Sequence, residues 1–231
     1  MVELPHRSGG VLLRGCGSAA PARSISNEDL GQRVETSDSW IKSRTGIAAR
    51  RVVGADESLS QLSCDAARAA LDMAGWDADS LDLILLATST PDDLFGSAPR
   101  LQALLGAQRA VAFDLTAACS GFLFALITAA QYLRTGAMRR ILVVGADQLS
   151  RWVDWDDRRS CVLFGDAAGA LVLEGSDNEQ DDLGGFLMRS DGSRGEVLQL
   201  PQVEDRAPLV GQVSHQRGGF QPIRMNGQEV Y

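Results

Sequence analysis

Two short apolar runs, Leu83-Ile-Leu-Leu-Ala87 and Arg140-Ile-Leu-Val-Val-Gly-Ala146, constrain this chain more than any other feature. A strand with one wet face alternates apolar and polar residues. A strand that is apolar at successive positions must be covered on both faces, which requires helices above and below a sheet. Helical patterns lie between such runs. Residues 58–74 carry Leu59, Leu62, Ala66, Ala69, Ala70 and Met73 on one face and stop at Gly75; residues 97–105 suggest another helix, and residues 121–134 read as a long apolar one with Gly136 beyond it. The order strand–helix–strand–helix–strand predicts an α/β layer structure with a mainly parallel sheet. A chain of 231 residues can bury a substantial core.

Other segments are weaker. Residues 11–20 read as a strand ending in Gly15-Cys16-Gly17, a G-x-G that lacks the third glycine of a dinucleotide site and is followed by Pro21 where a helix should run. Ser26 with Asp29 marks a helix start, and Thr36 to Gly46 a short capped helix closed by glycine. Residues 161–173 read as two strands around a glycine-rich bend, 175–182 as a polar surface connection, and 186–188 with 197–200 as one hairpin. Residues 201–222 lack periodicity and read as a long loop.

The net charge of −8 argues against non-specific nucleic-acid binding and against attraction to anionic lipid. Cys16, Cys64, Cys119 and Cys161 are too dispersed for a zinc site or a disulfide framework. The N-terminal residues lack the apolar core of a signal peptide and no run is long enough to span a bilayer, so the expected home is the cytoplasm, with no membrane partner and no metal.

Cys119 lies between a predicted strand (residues 110–113) and the helix at 121–134, in Phe113-Asp-Leu-Thr-Ala-Ala-Cys-Ser-Gly-Phe122. Ala117, Ala118 and Gly121 are small enough for the tight strand-to-helix turn that lifts a nucleophile out of a sheet. A helix start favours thiolate through its unpaired N–H groups and dipole. A buried structural thiol is the competing reading.

This motif resembles the active-site signature of the β-ketoacyl-acyl-carrier-protein synthase III family, thiolase-like condensing enzymes. Thr36-Ser-Asp-x-Trp40-x-x-x-Arg44-Thr-Gly46-Ile47, Phe164-Gly-Asp-x-Ala-Gly-Ala170, Ser190-Asp-Gly-Ser and Met225-x-Gly227-x-Glu-Val230 are similar to further segments of that family, in its order. The resemblance implies a layered α-β-α-β-α fold. Residues 1–176 would form a complete N-terminal half with the cysteine, and 177–231 the start of an incomplete C-terminal half. It also implies an acyltransferase that opens type II fatty-acid synthesis, joining an acyl-CoA, commonly acetyl-CoA, to malonyl-acyl carrier protein through an acyl-cysteine. Acyl-CoA would be a substrate, with no resident cofactor, and the enzyme a homodimer.

Carried over residue by residue, the resemblance makes Cys119 the acylated nucleophile and Trp40 the ring that stacks on the CoA adenine. Arg44 and Arg158 would contact the nucleotide end, with Thr36 near the adenine. Gly227 and Tyr231 would line the pantetheine tunnel, and Phe95 would close the acyl pocket from the opposite subunit. The family's catalytic histidine and asparagine follow the Met-x-Gly-x-Glu-Val segment, so the resemblance implies that this chain stops short of them. Its two histidines, His6 and His215, lie outside the family's motifs. Two alternatives stay open: a cysteine-type α/β-hydrolase using His215, and a catalytically incomplete regulatory or partner subunit.

Overall fold

The computed structural model describes residues 9–178 and 180–230. In chain order its strands and helices are β1 (Gly10–Ala19), β2 (Ser24–Ser26), α1 (Asn27–Gly31), α2 (Asp38–Thr45), β3 (Ala49–Arg51), α3 (Leu59–Ala74), β4 (Leu83–Ala87), α4 (Ala98–Leu105), β5 (Val111–Leu115), α5 (Gly121–Arg134), β6 (Arg140–Gln148), β7 (Asp166–Ser176), β8 (Leu198–Gln199), β9 (Arg206–Val210), β10 (Val213–Gln216), β11 (Arg224–Met225) and α6 (Gly227–Val230). Contacts divide the chain into two units. The first holds residues up to Arg23, Val53–Gln148 and Asp166–Met188; the second holds Ser24–Val52, Leu149–Gly165 and Arg189 onward.

The first unit is the α/β layer structure that the apolar runs demand. Its sheet has the order β1-β7-β6-β4-β5. β4 is buried at every residue, and its side chains divide by parity. Ile84 and Leu86 enter a core with Leu59, Leu62 and Leu71 of α3 and Leu101 of α4. Leu83, Leu85 and Ala87 enter a second core with Ala125, Ala129 and Leu133 of α5. The sheet is less parallel than its sequence suggests: β4 pairs parallel with β5 and β6, whereas β7 runs antiparallel to both β6 and β1.

Helix α3 starts at the Ser58 cap and ends at Gly75 in the left-handed region, as its sequence predicts. Its buried face is rotated from the expected one. Ala67 and Leu71 face the core, while Met73 is 63% exposed and lies beside Cys16. Gly15 and Gly17 serve packing: a Cβ on Gly15 would collide with the Ala70 carbonyl, and one on Gly17 with the Ala66 carbonyl. These glycines let α3 sit directly on β1.

The second unit carries short ladders, β2 with β3, β8 with β11 and β9 with β10, around a core of Leu30, Ile41, Val153, Cys161, Val162 and Ile223. Several sequence expectations are corrected here and at its borders. Cys161–Phe164 is a run of turns, with Cys161 N–H donating to the Asp157 carbonyl; only Asp166–Ser176 is a strand. Gly165 leaves this segment close to the β3 backbone, where a Cβ would stand 2.9 Å from the Arg51 carbonyl. Residues 186–188 form no strand; β8 pairs instead with β11, more than twenty residues later. The expected loop at 201–222 contains the β9–β10 hairpin, turned at Gly211 (φ +57°). Part of the expected surface connection is structural: Asp181 accepts from Val11 N–H and pairs with Arg134, and Asp182 accepts from Leu13 N–H. Among the described residues, no helix is long and apolar enough to cross a membrane.

The contact between β1 and α3 generates a stability prediction. Gly17→Ala should lower the unfolding free energy by about 1–3 kcal/mol through overpacking against backbone. Gly169→Ala, where a Cβ meets nothing within 4 Å, should change it little. Urea unfolding of the two variants beside wild type checks the contrast.

Candidate active site

β5 runs in parallel register with β4, placing Leu115 beside Ala87, and the chain turns almost immediately afterwards. Ala117 has φ −152° and ψ 38°, and Ala118 has φ +48°. Ala118 is the one non-glycine residue with positive φ among the described residues. An L-residue in that region is disfavoured by about 1–2 kcal/mol, so surrounding packing must impose the conformation. Residues Ala118–Ser120 then make one 3-10 turn and α5 begins; neither start is capped by a side chain. The end of α5 is seated low on the sheet. A Cβ on Gly121 would touch that of Ala87 at 3.4 Å, and one on Gly145 would press the Phe122 ring at 2.9 Å.

Cys119 is exposed on this turn. Cys64 and Cys161 are buried, and burial pushes both thiols up, so they remain protonated at neutral pH. Cys16 is exposed on β1 with its Sγ 3.8 Å from Met73 Sδ.

Phe95 is 96% exposed and Leu94 87% exposed, on a loop pinned at both ends. Asp92 accepts from Leu59 and Ser60 N–H (3.2 and 2.9 Å) at the start of α3. Its own N–H donates to Ser97 Oγ at 2.8 Å. Asp114 accepts from Ser97 N–H at 2.9 Å and Ala98 N–H at 2.6 Å, while Gly96 supplies the required φ of +110°. Asp114 belongs to β5, so the strand that leads to Cys119 also anchors the apolar loop. Sequence reading missed this role; its signal was a lone carboxylate in an otherwise apolar strand.

In the second unit, Ser37 caps α2 by accepting from Trp40 N–H, and Gly46 ends the helix at φ +73°. The helix presents a half-buried Trp40. The Arg44 guanidinium lies over its ring at 4.6 Å from the centroid, and that of Arg158 at 5.3 Å. Arg158 Nη1 also donates to the Glu35 carbonyl at 2.8 Å. Thr36, just before the cap, has a buried Oγ1 with no hydrogen-bond partner among the described residues. Two guanidinium groups over a flat ring make a surface suited to an aromatic, anionic ligand.

Gly227 opens α6, with Met225 Cε 3.8 Å from the position of a Cβ on it. A nearby cavity of about 460 Å³ is lined by Asp154, Asp157, Arg159, Glu196 and residues 221–226. Asp157 holds Arg159 at 2.9 Å and Arg224 donates to Gln221, and the three carboxylates of the lining outnumber these two guanidinium groups. His215 is exposed on β10. His6 and Tyr231 lie outside the described residues. Among the described residues, no cluster of three or more histidine, cysteine or acidic side chains is arranged to hold a metal. The structure therefore gathers Trp40, Arg44, Arg158 and Thr36 in the second unit, while Cys119 and Phe95 belong to the first.

The family model described as 3-oxoacyl-[acyl-carrier-protein (ACP)] synthase III matches residues 113–192, the segment that starts two residues before the end of β5 and contains Cys119. A β-ketoacyl-[acyl-carrier-protein] synthase III of Prochlorococcus marinus (strain MIT 9313) is 70% identical over 231 residues, covering all of this chain and 68% of the relative. The enzyme of that name from Synechococcus sp. (strain RCC307) is 68% identical over 222 residues, 96% of this chain and 67% of its own. The crystal structure of 3-oxoacyl-[acyl-carrier-protein] synthase III from Aquifex aeolicus VF5 superposes with a TM-score of 0.84 at 39% identity, over 96% of this chain and 66% of that one. The chain thus spans about two thirds of the length of the relatives it matches, and it belongs to the 3-oxoacyl-[acyl-carrier-protein] synthase III family.

Proposed function

We propose that this chain carries the acyl-accepting part of an initiating condensing enzyme of fatty-acid synthesis. The observation that carries the reading is an exposed cysteine on a strained strand-to-helix turn, at the uncapped start of a 14-residue helix. The thiolate of Cys119 attacks the thioester carbonyl of an acyl-CoA, the C–S bond to CoA breaks, and CoA leaves as a thiolate. Malonyl-acyl carrier protein then loses CO₂, and the electron pair of the broken C–C bond becomes an enolate. That carbanion attacks the acyl-cysteine, releasing the Cys119 thiolate and a β-ketoacyl-acyl carrier protein. Sulfur suits both halves, being a good nucleophile and a good leaving group. This reaction sequence consumes no redox equivalent and calls on no resident cofactor.

The Trp40–Arg44–Arg158 cluster is read as the CoA nucleotide grip, with Thr36, just before the helix cap, assigned near the adenine. Gly227 and Tyr231 are assigned to the pantetheine path. A homodimer fits two exposures: Phe95 at the tip of a rigid loop, and Val111 and Phe113 on β5, which lies at the edge of its sheet. Four free thiols suit a reducing cytoplasm. A hydrolase built on His215 loses its ground once the family is known. An incomplete partner subunit is distinguished by the first experiment below.

Full-length protein incubated with radiolabelled acetyl-CoA should acquire a covalent label that Cys119→Ser abolishes. Absence of label in wild type would favour the partner subunit, and equal labelling of both proteins would move the nucleophile elsewhere. Under native conditions iodoacetamide should modify Cys119 faster than Cys16, while Cys64 and Cys161 should react only on unfolding, as peptide mass spectrometry would report.

A further inference from the structure

We propose that Asn27 and Arg50 are positioning residues for the nucleotide grip: a buried two-residue bridge that holds the helix carrying Trp40 in register with the loop carrying Arg158. The inference rests on the reading of that cluster as the CoA nucleotide site and adds the groups that set its geometry.

Asn27 is fully buried and uses both ends of its amide. Its Nδ2 donates to Asp38 Oδ1 at 2.9 Å and to the Ile47 carbonyl at 2.8 Å. Asp38 is the first residue of α2, and Ile47 follows the glycine that ends it, so one side chain grips the helix at both ends. Asn27 Oδ1 accepts from Arg50 Nη2 at 2.8 Å. The same Nη2 donates to the Val162 carbonyl at 3.0 Å, in the run of turns just after Arg158, and Nη1 donates to the Ile25 carbonyl at 3.2 Å. Trp40 and Arg158 are thereby connected through three polar links, all inside the second unit.

This arrangement is a costly way to fill space. Arg50 is 4% exposed, these partners are neutral oxygens, and its Nε is buried with no hydrogen-bond partner among the described residues. Burying a guanidinium without a charged partner carries a large desolvation cost, which hydrogen bonds to neutral oxygens offset only in part. What apolar residues cannot supply is direction. A guanidinium fork and an amide fix the relative orientation of α2 and the 153–165 segment, and Arg158, at 5.3 Å from the centroid, already lies near the outer limit of a cation–ring contact. Both residues are buried, so they act through Trp40 and Arg158 and not on the ligand.

The test uses the full-length enzyme with two substrates, acetyl-CoA and acetyl-pantetheine, which lacks the nucleotide. Asn27→Asp keeps an acceptor for Arg50 and turns that contact into an ion pair, but it removes both donors to α2 and sets two carboxylates face to face. The KM for acetyl-CoA should rise about ten-fold, the scale of losing one contact to a charged group, with kcat and the KM for acetyl-pantetheine little changed. The reciprocal swap Asn27→Asp with Asp38→Asn restores a donor between the two positions and should recover most of the loss. Arg50→Lys, which cannot span Asn27 and Val162 together, should produce the same split and is read if Asn27→Asp does not fold. Unchanged KM for acetyl-CoA, or equal rises for both substrates, would overturn the proposal. Trp40→Ala in the same assay isolates the underlying reading: if it leaves the acetyl-CoA KM unaltered, the nucleotide assignment fails on its own account.

Discussion

The left-handed backbone at Ala118 is the constraint from which the site follows. β5 is fixed by its parallel register with β4, and α5 is fixed by its apolar face on the sheet and by the close approaches at Gly121 and Gly145. Only a few residues join the two. The chain must therefore reverse within them, and it does so through an alanine at φ +48°. The packing of strand and helix outweighs the local penalty, and the residue next in line, Cys119, is lifted into solvent. A cysteine on a relaxed loop would have no such fixed address.

Charge is distributed to match the proposed chemistry. The chain as a whole is acidic at −8, yet two guanidinium groups converge on the Trp40 ring. The cavity beside α6 has three carboxylates in its lining against two guanidinium groups, Arg159 already paired and Arg224, so the Trp40 face is the better seat for an anionic nucleotide. The Phe95 loop follows the opposite logic. Three carboxylates, from Asp92, Asp93 and Asp114, accept its backbone N–H groups or those of the helices beside it, and the tip they stiffen is apolar and exposed. A rigid exposed phenylalanine loses little entropy when a partner surface covers it.

Much of the first unit was legible because its elements are two-faced or well capped. β4 announced itself by being apolar at every position and α3 by a serine before and a glycine after, the same signal that marks α2 in the second unit. The errors share one cause: an apolar or irregular run reports burial, not conformation. Cys161–Phe164 is apolar because it enters the core of the second unit as turns. The β9–β10 hairpin escaped notice because β10 is exposed at every residue, so no alternation is imposed on it. β8 finds its partner β11 at long range, beyond any local signal. The site divides likewise. Cys119, Trp40, Arg44 and Arg158 stand in motifs and could be named from sequence. Asp114, Asn27 and Arg50 acquire their roles only from partners up to 112 residues away, which no spacing rule exposes.

The most direct test of the condensing chemistry is the fate of the acyl group in a single turnover. Acetylated full-length protein, freed of CoA and mixed with malonyl-acyl carrier protein, should discharge its acetyl group into acetoacetyl-acyl carrier protein, with one CO₂ released per acetyl transferred. Discharge only to acetate, at a rate independent of the malonyl carrier, would contradict the account.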